Sequence, residues 1–438
     1  MRSSDRDQQT ARINLRKVYQ QSVTIMPTQL KTRLAFCLTC LSLLLATVAI
    51  AQAQEGSLVV ETNQHQVRFG DSIQFQLTVS GPADITSAIL TYRTADNQGM
   101  TVERLNFSPA PRVELIQKID MNQRPLKPFV TVEYWWTVND AAGHQLTTEH
   151  QKFSYEDNRF AWQSLPGRQA AVHWYEGDIA FGSQALDVAE QAVDRIREMI
   201  DPSLSLPAPL HLYLYANETD LLPALPATGR EWVIGQAYPE LRLAVVSIPP
   251  GPESTSNMRW LIPHELTHLL FYEVMGSSYG RLPPWLNEGL AVVSEQSLDP
   301  DDALVLDQAF QDGQLISLDL LCYNFFREDD RVRLAYAQSA SVVRFIQENY
   351  GYSAIGRLVA AYRDGLSCQA GVRRALGISL GSLESQWQES LGTRSPNMAF
   401  LKKAAPWLLL VLSSLPLLLL IAHPLRARRT EQPRERIR

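Results

Sequence analysis

The chain has 438 residues, more than one hydrophobic core usually organises, so two folded domains are expected together with targeting segments. Its 45% hydrophobic and 20% charged residues exclude disorder, collagen-like repeats and a polytopic membrane protein. A formal net charge of -6 leaves no broad basic field to neutralise phosphates, so nucleic acid is not an expected partner.

Residues 1–53 read as a signal sequence. The apolar stretch 34–51, LAFCLTCLSLLLATVAIA, follows Lys31 and Arg33 and leads into the small-residue pattern Ala51-Gln52-Ala53. Cleavage after Ala53 is the expectation; an uncleaved N-terminal anchor is the alternative for an apolar stretch of this length. Met26 precedes a short basic segment, which leaves residues 1–25 open as an over-extended start.

Residues 55–157 alternate short apolar runs with turn residues. Val67, Phe69, Ile73, Phe75, Leu77 and Val79 alternate with polar neighbours, as half-buried strands do, and the pattern predicts an all-β, immunoglobulin-like antiparallel sandwich. It holds no clustered nucleophile, base or metal-ligand set, so a spacer or binding module is the reading. Trp135 and Trp136 read as core and rim aromatics rather than as a ligand platform.

Residues 165–391 change to a mixed, α+β pattern. Ala185, Val188, Ala189, Ala192, Val193 and Ile196 share one face of a predicted helix over 182–200. Strands are predicted over 210–216 and 241–248, then a helix over 258–275 with Gly276 as its C-cap. Pro263, which lacks a backbone donor, predicts a helix start or a bend there. A second helix is expected from Pro283-Pro284 through WLNEGLAVVSEQ, with further helices over 335–350, 353–364 and 383–391.

Residues 404–422, AAPWLLLVLSSLPLLLLIA, carry no charge and predict a C-terminal transmembrane helix. The tail 423–438 is rich in Arg and is expected on the cytoplasmic side, which makes the protein a single-pass cell-membrane protein with an extracytoplasmic body. Cys322 and Cys368 are the cysteines of that body, and a disulfide between them is allowed.

The chemistry lies in His264-Glu265-Leu266-Thr267-His268. Residues four apart share a helix face, so both imidazoles can reach one metal ion while Glu265 lies beside the open coordination position. A catalytic zinc normally takes three protein ligands and a water. Glu288 follows after a loop, GSSYGRLPP, that lets a second helix present a carboxylate. Phe271 and Val274 occupy the positions where a metzincin needs Gly and His, so that group is excluded.

HELTH followed by PPWLNEGLA resembles the peptidase MA-like, gluzincin group of zinc metallopeptidases, distantly aminopeptidase N-like. The resemblance implies Glu288 as third zinc ligand beside His264 and His268, and Glu265 as the general base that activates water. It also implies a peptide or protein substrate, and Tyr336 as a candidate for stabilising the tetrahedral oxyanion, a position that core packing also explains. The amine-binding Gly-x-x-Glu segment of aminopeptidase N-like enzymes is not matched, because Gly235 is followed at the third position by Tyr238. That favours an endopeptidase, with an extended chain laid beside an edge strand such as 241–248, although Glu240 could restore an amine contact. Val292, four residues after Glu288, cannot supply the carboxylate that thermolysin-like relatives use to orient a ligand. The alternative is a non-catalytic, membrane-tethered binding protein that retains a gluzincin fold.

Overall fold

The computed structural model describes residues 57–225, 234–296, 300–326 and 331–394. Its N-terminal part is β-rich: β1 (Val59–Arg68), β2 (Ser72–Thr94), β3 (Asn97–Arg104), β4 (Ala110–Asp120), β5 (Thr131–Asp140), β6 (Gln145–Thr147) and β7 (Gln151–Ser154). The long β2 joins two layers. Its first half pairs with β1 and β4, and its second half pairs with β3 and β5. The register breaks between Ser80 and Ile85, at Gly81-Pro82, where a strand can bend from one layer into the next. The seven strands therefore form one continuous hydrogen-bonded sheet folded around a core. Ile73, Phe75, Leu77 and Val79 from β2 meet Val132, Tyr134, Trp136 and Val138 from β5 in that core. Trp135 lies on the rim, stacked on His150.

The body that follows is built on a second sheet: β8 (Gln163–Pro166), β9 (Ala170–Trp174), β10 (Leu210–Tyr215), β11 (Gly235–Tyr238) and β12 (Leu243–Ser247), ordered β11-β12-β10-β9-β8. β9, β10 and β12 run parallel, and the two outer strands run antiparallel to their neighbours. Helix α1 (Ile179–Ile200) connects β9 to β10 across one face, and Asp178 caps it by accepting from the Phe181 N–H. The short α2 (Glu218–Leu221) follows β10. Helices α3 (Ser254–Met275), α4 (Pro284–Ser294), α5 (Pro300–Gln311), α6 (Leu318–Leu321), α7 (Val332–Tyr350), α8 (Ser353–Arg363), α9 (Cys368–Leu376) and α10 (Leu380–Arg394) complete the body.

Both faces of this sheet are buried. Val172, Trp174, Leu212, Leu214, Ala244 and Val246 pack under α1 and α3, while Tyr215, Tyr238, Leu243 and Val245 join the core of the N-terminal β region. Burial on both sides explains why β12, LAVVS, is apolar almost throughout rather than alternating. The junction is also polar and specific. The buried Asp157 carboxylate receives Arg159 through Nε and Nη2, at 2.8 and 2.6 Å, and the Tyr215 hydroxyl at 3.0 Å. Phe129, held at a φ of 61°, stacks on Tyr213 with 3.7 Å between ring centroids, and Lys127 pairs with Glu240.

These observations correct the expected fold class and localisation. The fold is a β-rich N-terminal region followed by an α/β body with three parallel central strands, not an α+β body. No helix among the described residues is long and apolar enough to cross a membrane. The two longest, α1 and α3 at 22 residues each, are interrupted by charged side chains such as Asp187, Glu190, Arg259 and Glu273. The expected C-terminal transmembrane helix and the single-pass membrane placement that depended on it therefore have no counterpart among the described residues. The segments on which those expectations fell, 1–53, 404–422 and 423–438, lie outside the described residues.

Candidate metal centre

Helix α3 carries His264, Glu265 and His268, and it continues through Pro263 instead of starting there. Proline has no N–H to give the carbonyl four residues earlier, so Arg259 O is left without its intrahelical donor. The backbone N–H of Gln296 takes that place at 3.0 Å. The missing donor thus creates a docking point that holds the chain leaving α4 against α3. Buried Thr267 Oγ1 strengthens the contact, 2.8 Å from the Pro263 carbonyl and 2.9 Å from Ser294 Oγ.

Helix α4 starts with Pro284 at its first turn, a position that suits proline, and brings Glu288 opposite the two histidines. Gly289 explains the glycine of the N-E-G sequence: a Cβ there would lie 2.6 Å from the Ser339 carbonyl oxygen of α7. One ligand atom from each of His264, His268 and Glu288 lies within 4.8 Å of the others. Glu288 Oε2 is 3.9 Å from His264 Nε2 and 3.6 Å from His268 Nε2. Ligands on a tetrahedral zinc, at about 2.0–2.1 Å from the metal, stand about 3.3 Å apart, so the group fits such an ion after a small contraction.

Both imidazoles are oriented through Nδ1, which leaves Nε2 facing the common point. His264 Nδ1 lies 2.8 Å from Glu295 Oε1, and His268 Nδ1 lies 3.1 Å from Asn287 Oδ1. Trp260 lies close enough to Glu295, and Asn287 to the Tyr279 hydroxyl, to favour the charged form of each. Burial opposes charge on His264, but the carboxylates of Glu295, Glu265 and Glu288 outweigh it and lift its pKa to about 9. Such a pocket favours a cation.

Glu265 is buried, and burial raises its pKa although both histidines oppose the shift. It is held against β11: Ala237 offers it a backbone hydrogen bond, and a Cβ at Gly235 would lie 2.7 Å from its Oε1. β11 is the outer strand of the sheet, whereas β12 is internal, paired on both sides. The expectation of an edge at 241–248 is therefore corrected to 235–238. Glu240 points away from this centre into its ion pair with Lys127.

Tyr336 lies on α7 with its ring centroid 6.2 Å from that of His264, and Phe325 packs edge-on against it at 4.8 Å. Cys322 and Cys368 form a disulfide with Cα atoms 5.9 Å apart, and Trp285 Nε1 of α4 donates to Cys368 Sγ at 3.5 Å. The disulfide thus supports the helix that carries Glu288. Glu295, Asn287, Tyr279 and Trp260 were not singled out from the sequence. Asn287 alone had a local signal, as part of W-L-N-E-G.

Residues 188–393 match the model of a family described as the peptidase MA superfamily. None of the curated proteins matches the chain. Among solved structures, it is similar to catalytically inactive OgpA from Akkermansia muciniphila in complex with an O-glycopeptide substrate, at 14% identity and a TM-score of 0.19. That likeness covers 23% of this chain and 29% of the other. A Br derivative of BhCBM56 is 15% identical with a TM-score of 0.16, covering 22% of this chain and 97% of the other. Neither structural likeness is close enough to carry an argument, and the narrower relation to aminopeptidase N has no counterpart in these matches.

Proposed function

We propose, on the premise that residues 188–393 are a peptidase MA superfamily domain, that the protein is a zinc-dependent peptidase. In this reading His264, His268 and Glu288 hold the metal, Glu265 is the general base, and the substrate is an extended peptide or protein segment. The reading rests above all on one observation: three ligand atoms within 4.8 Å of one another beside a buried, proton-avid carboxylate. Two imidazoles and a carboxylate suit zinc, which when bound polarises a scissile carbonyl and lowers the pKa of water towards about 7.

The chain's own groups do the rest. Glu265 takes a proton from the attacking water and delivers it to the amine nitrogen as the C–N bond breaks; its burial keeps it a strong enough base for both transfers. Tyr336, beside His264, supplies a hydroxyl to the developing oxyanion. An extended chain pairs along the outer edge of β11, next to Glu265. Tyr238 offers no carboxylate for a free amine, and Glu240 is engaged by Lys127, so cleavage of internal bonds is favoured over removal of terminal residues.

The test compares the full chain with Glu265→Gln on a mixed peptide library, read by mass spectrometry. The expected result is internal cleavage by the parent and a loss of about 10²–10⁴-fold in the variant. Equal cleavage by both would remove Glu265 from the role, and zinc bound without cleavage by the parent would point to a binding protein.

A further inference from the structure

The strand that backs Glu265 is short and is held from two sides. β11 has four residues, pairs with β12 along one edge, and turns back into it through residues 239–242. So short a ladder leaves surrounding contacts to decide where the strand sits. Its faces divide between the two cores: Ala237 packs with the metal helices, whereas Tyr238 lies in the core of the N-terminal β region. The place of β11 beside Glu265 therefore depends on that region as well as on α3.

Two contacts carry the N-terminal region onto this hairpin. At the turn, Lys127 pairs with Glu240 and also meets Asp96 Oδ2 at 3.0 Å. In the same turn Arg242, in the left-handed conformation at a φ of 57°, pairs with Glu273 of α3, so the tip is gripped by the N-terminal region and by the metal helix. Before the turn, Tyr238 donates to the Ala224 carbonyl at 2.5 Å. The neighbouring Pro223 lies against the β1–β2 turn so closely that a Cβ at Gly70 would be 2.6 Å from Pro223 Cβ. At the other end of β11, a Cβ at Gly235 would be 2.7 Å from Glu265 Oε1. With so little clearance, a displaced strand moves the carboxylate or changes register against a chain paired along its edge.

We propose that the N-terminal β region is a positioning element of the catalytic site, in which Lys127, through Glu240, fixes the β11 edge along which the substrate chain pairs. The proposal rests on the peptidase reading above and gives the N-terminal region a part in substrate recognition. Lys127 and Glu240 are positioning residues, since neither meets the reacting atoms. Their effect grows with the length of substrate paired along the strand, because register matters little to a peptide that spans only the scissile bond. Both side chains are partly exposed, so breaking the pair costs the fold little.

Glu240→Gln breaks the pair and leaves Lys127 on Asp96; Lys127→Met breaks it from the other side, and Lys127→Arg keeps it. The full-length parent, these variants and the Lys127→Met/Glu240→Gln double variant are assayed on a short peptide spanning the cleaved bond and on a longer one extended along the β11 edge. Each single variant should raise KM for the longer peptide about three- to tenfold, with kcat and the short peptide changed less than about twofold. The double variant should do no more than either single one, and Lys127→Arg should match the parent. Calorimetric titration of both peptides against zinc-loaded Glu265→Gln, with and without Glu240→Gln, reads the edge apart from hydrolysis. A length-dependent loss of binding in a protein that cleaves nothing supports the positioning role and ends the peptidase reading. Cleavage whose KM ignores Lys127 and Glu240 ends the positioning role alone. An effect of Glu240→Gln without one of Lys127→Met overturns it by making Glu240 a direct substrate contact. Equal loss on both peptides overturns it by reducing the pair to a support for the fold, and absence of both cleavage and peptide binding overturns it as well.

Discussion

Gly235 is the residue whose side chain matters by being absent. A methyl group there would meet Glu265 Oε1 at 2.7 Å, so Gly235→Ala has to displace the carboxylate or the strand. Hydrolysis is expected to fall by about 10²-fold or more while zinc content stays near the parent's, because a shift of about 1 Å at the base is enough for that loss. Assay of both quantities on one preparation checks it. Glu295 acts on the metal rather than on the proton. Glu295→Gln keeps a hydrogen-bonding side chain beside His264 Nδ1 but removes the negative charge, and zinc affinity should weaken about 10–100-fold in a competition titration. Unchanged affinity would show that Glu295 does not tune the ligand.

At the scale of elements, the two helices meet through features that oppose local propensity. Pro263 costs α3 a hydrogen bond and gives the chain after α4 a carbonyl to bind. Gly289 lowers the intrinsic helix propensity of α4 and lets it approach the backbone of α7. Gly289→Ala should destabilise the fold by about 1–3 kcal/mol, as overpacking does, read as a lower midpoint in urea with an unchanged slope. These elements also show what could be read in advance. HELTH and WLNEG are contiguous: helical periodicity was enough to align His264 with His268, and the family resemblance carried by WLNEG pointed to Glu288. Glu295 joins His264 where Gln296 docks on a carbonyl that Pro263 leaves free, a long-range contact with no local pattern. The edge strand was misassigned for a similar reason. The apolar run at β12 is strong because both of its faces are buried, whereas the real edge, GQAY, is short and weakly patterned.

Across the whole molecule, the N-terminal β region is part of the body's packing. It covers the face of the second sheet opposite the metal helices, and Tyr215, Tyr238, Leu243 and Val245 lie in its core. Composition gave no sign of that, because burial of a second sheet face depends on the partner. The same side of the sheet holds His173, whose Nε2 lies 3.0 Å from His211 Nδ1 and whose Nδ1 meets Ser164 Oγ at 2.8 Å, with Arg242 near His211. Burial, followed by repulsion from His211, lowers the His173 pKa from 6.5 to about 4. The unfolded chain therefore takes up the proton first. The stability that neutral His173 contributes should be full above about pH 6.5, decline towards about pH 4 and level off below it. Thermal midpoints recorded with chelator present, so that metal loss does not contribute, should fall less over this range in His173→Gln than in the parent. The most direct test of the account is to strip the full chain of metal, titrate it with zinc, and follow bound zinc and peptide cleavage in the same samples. The account predicts that both rise together and saturate at about one zinc per chain, and that Glu288→Ala reaches neither plateau. Cleavage without zinc, or full zinc binding and cleavage in Glu288→Ala, would contradict it.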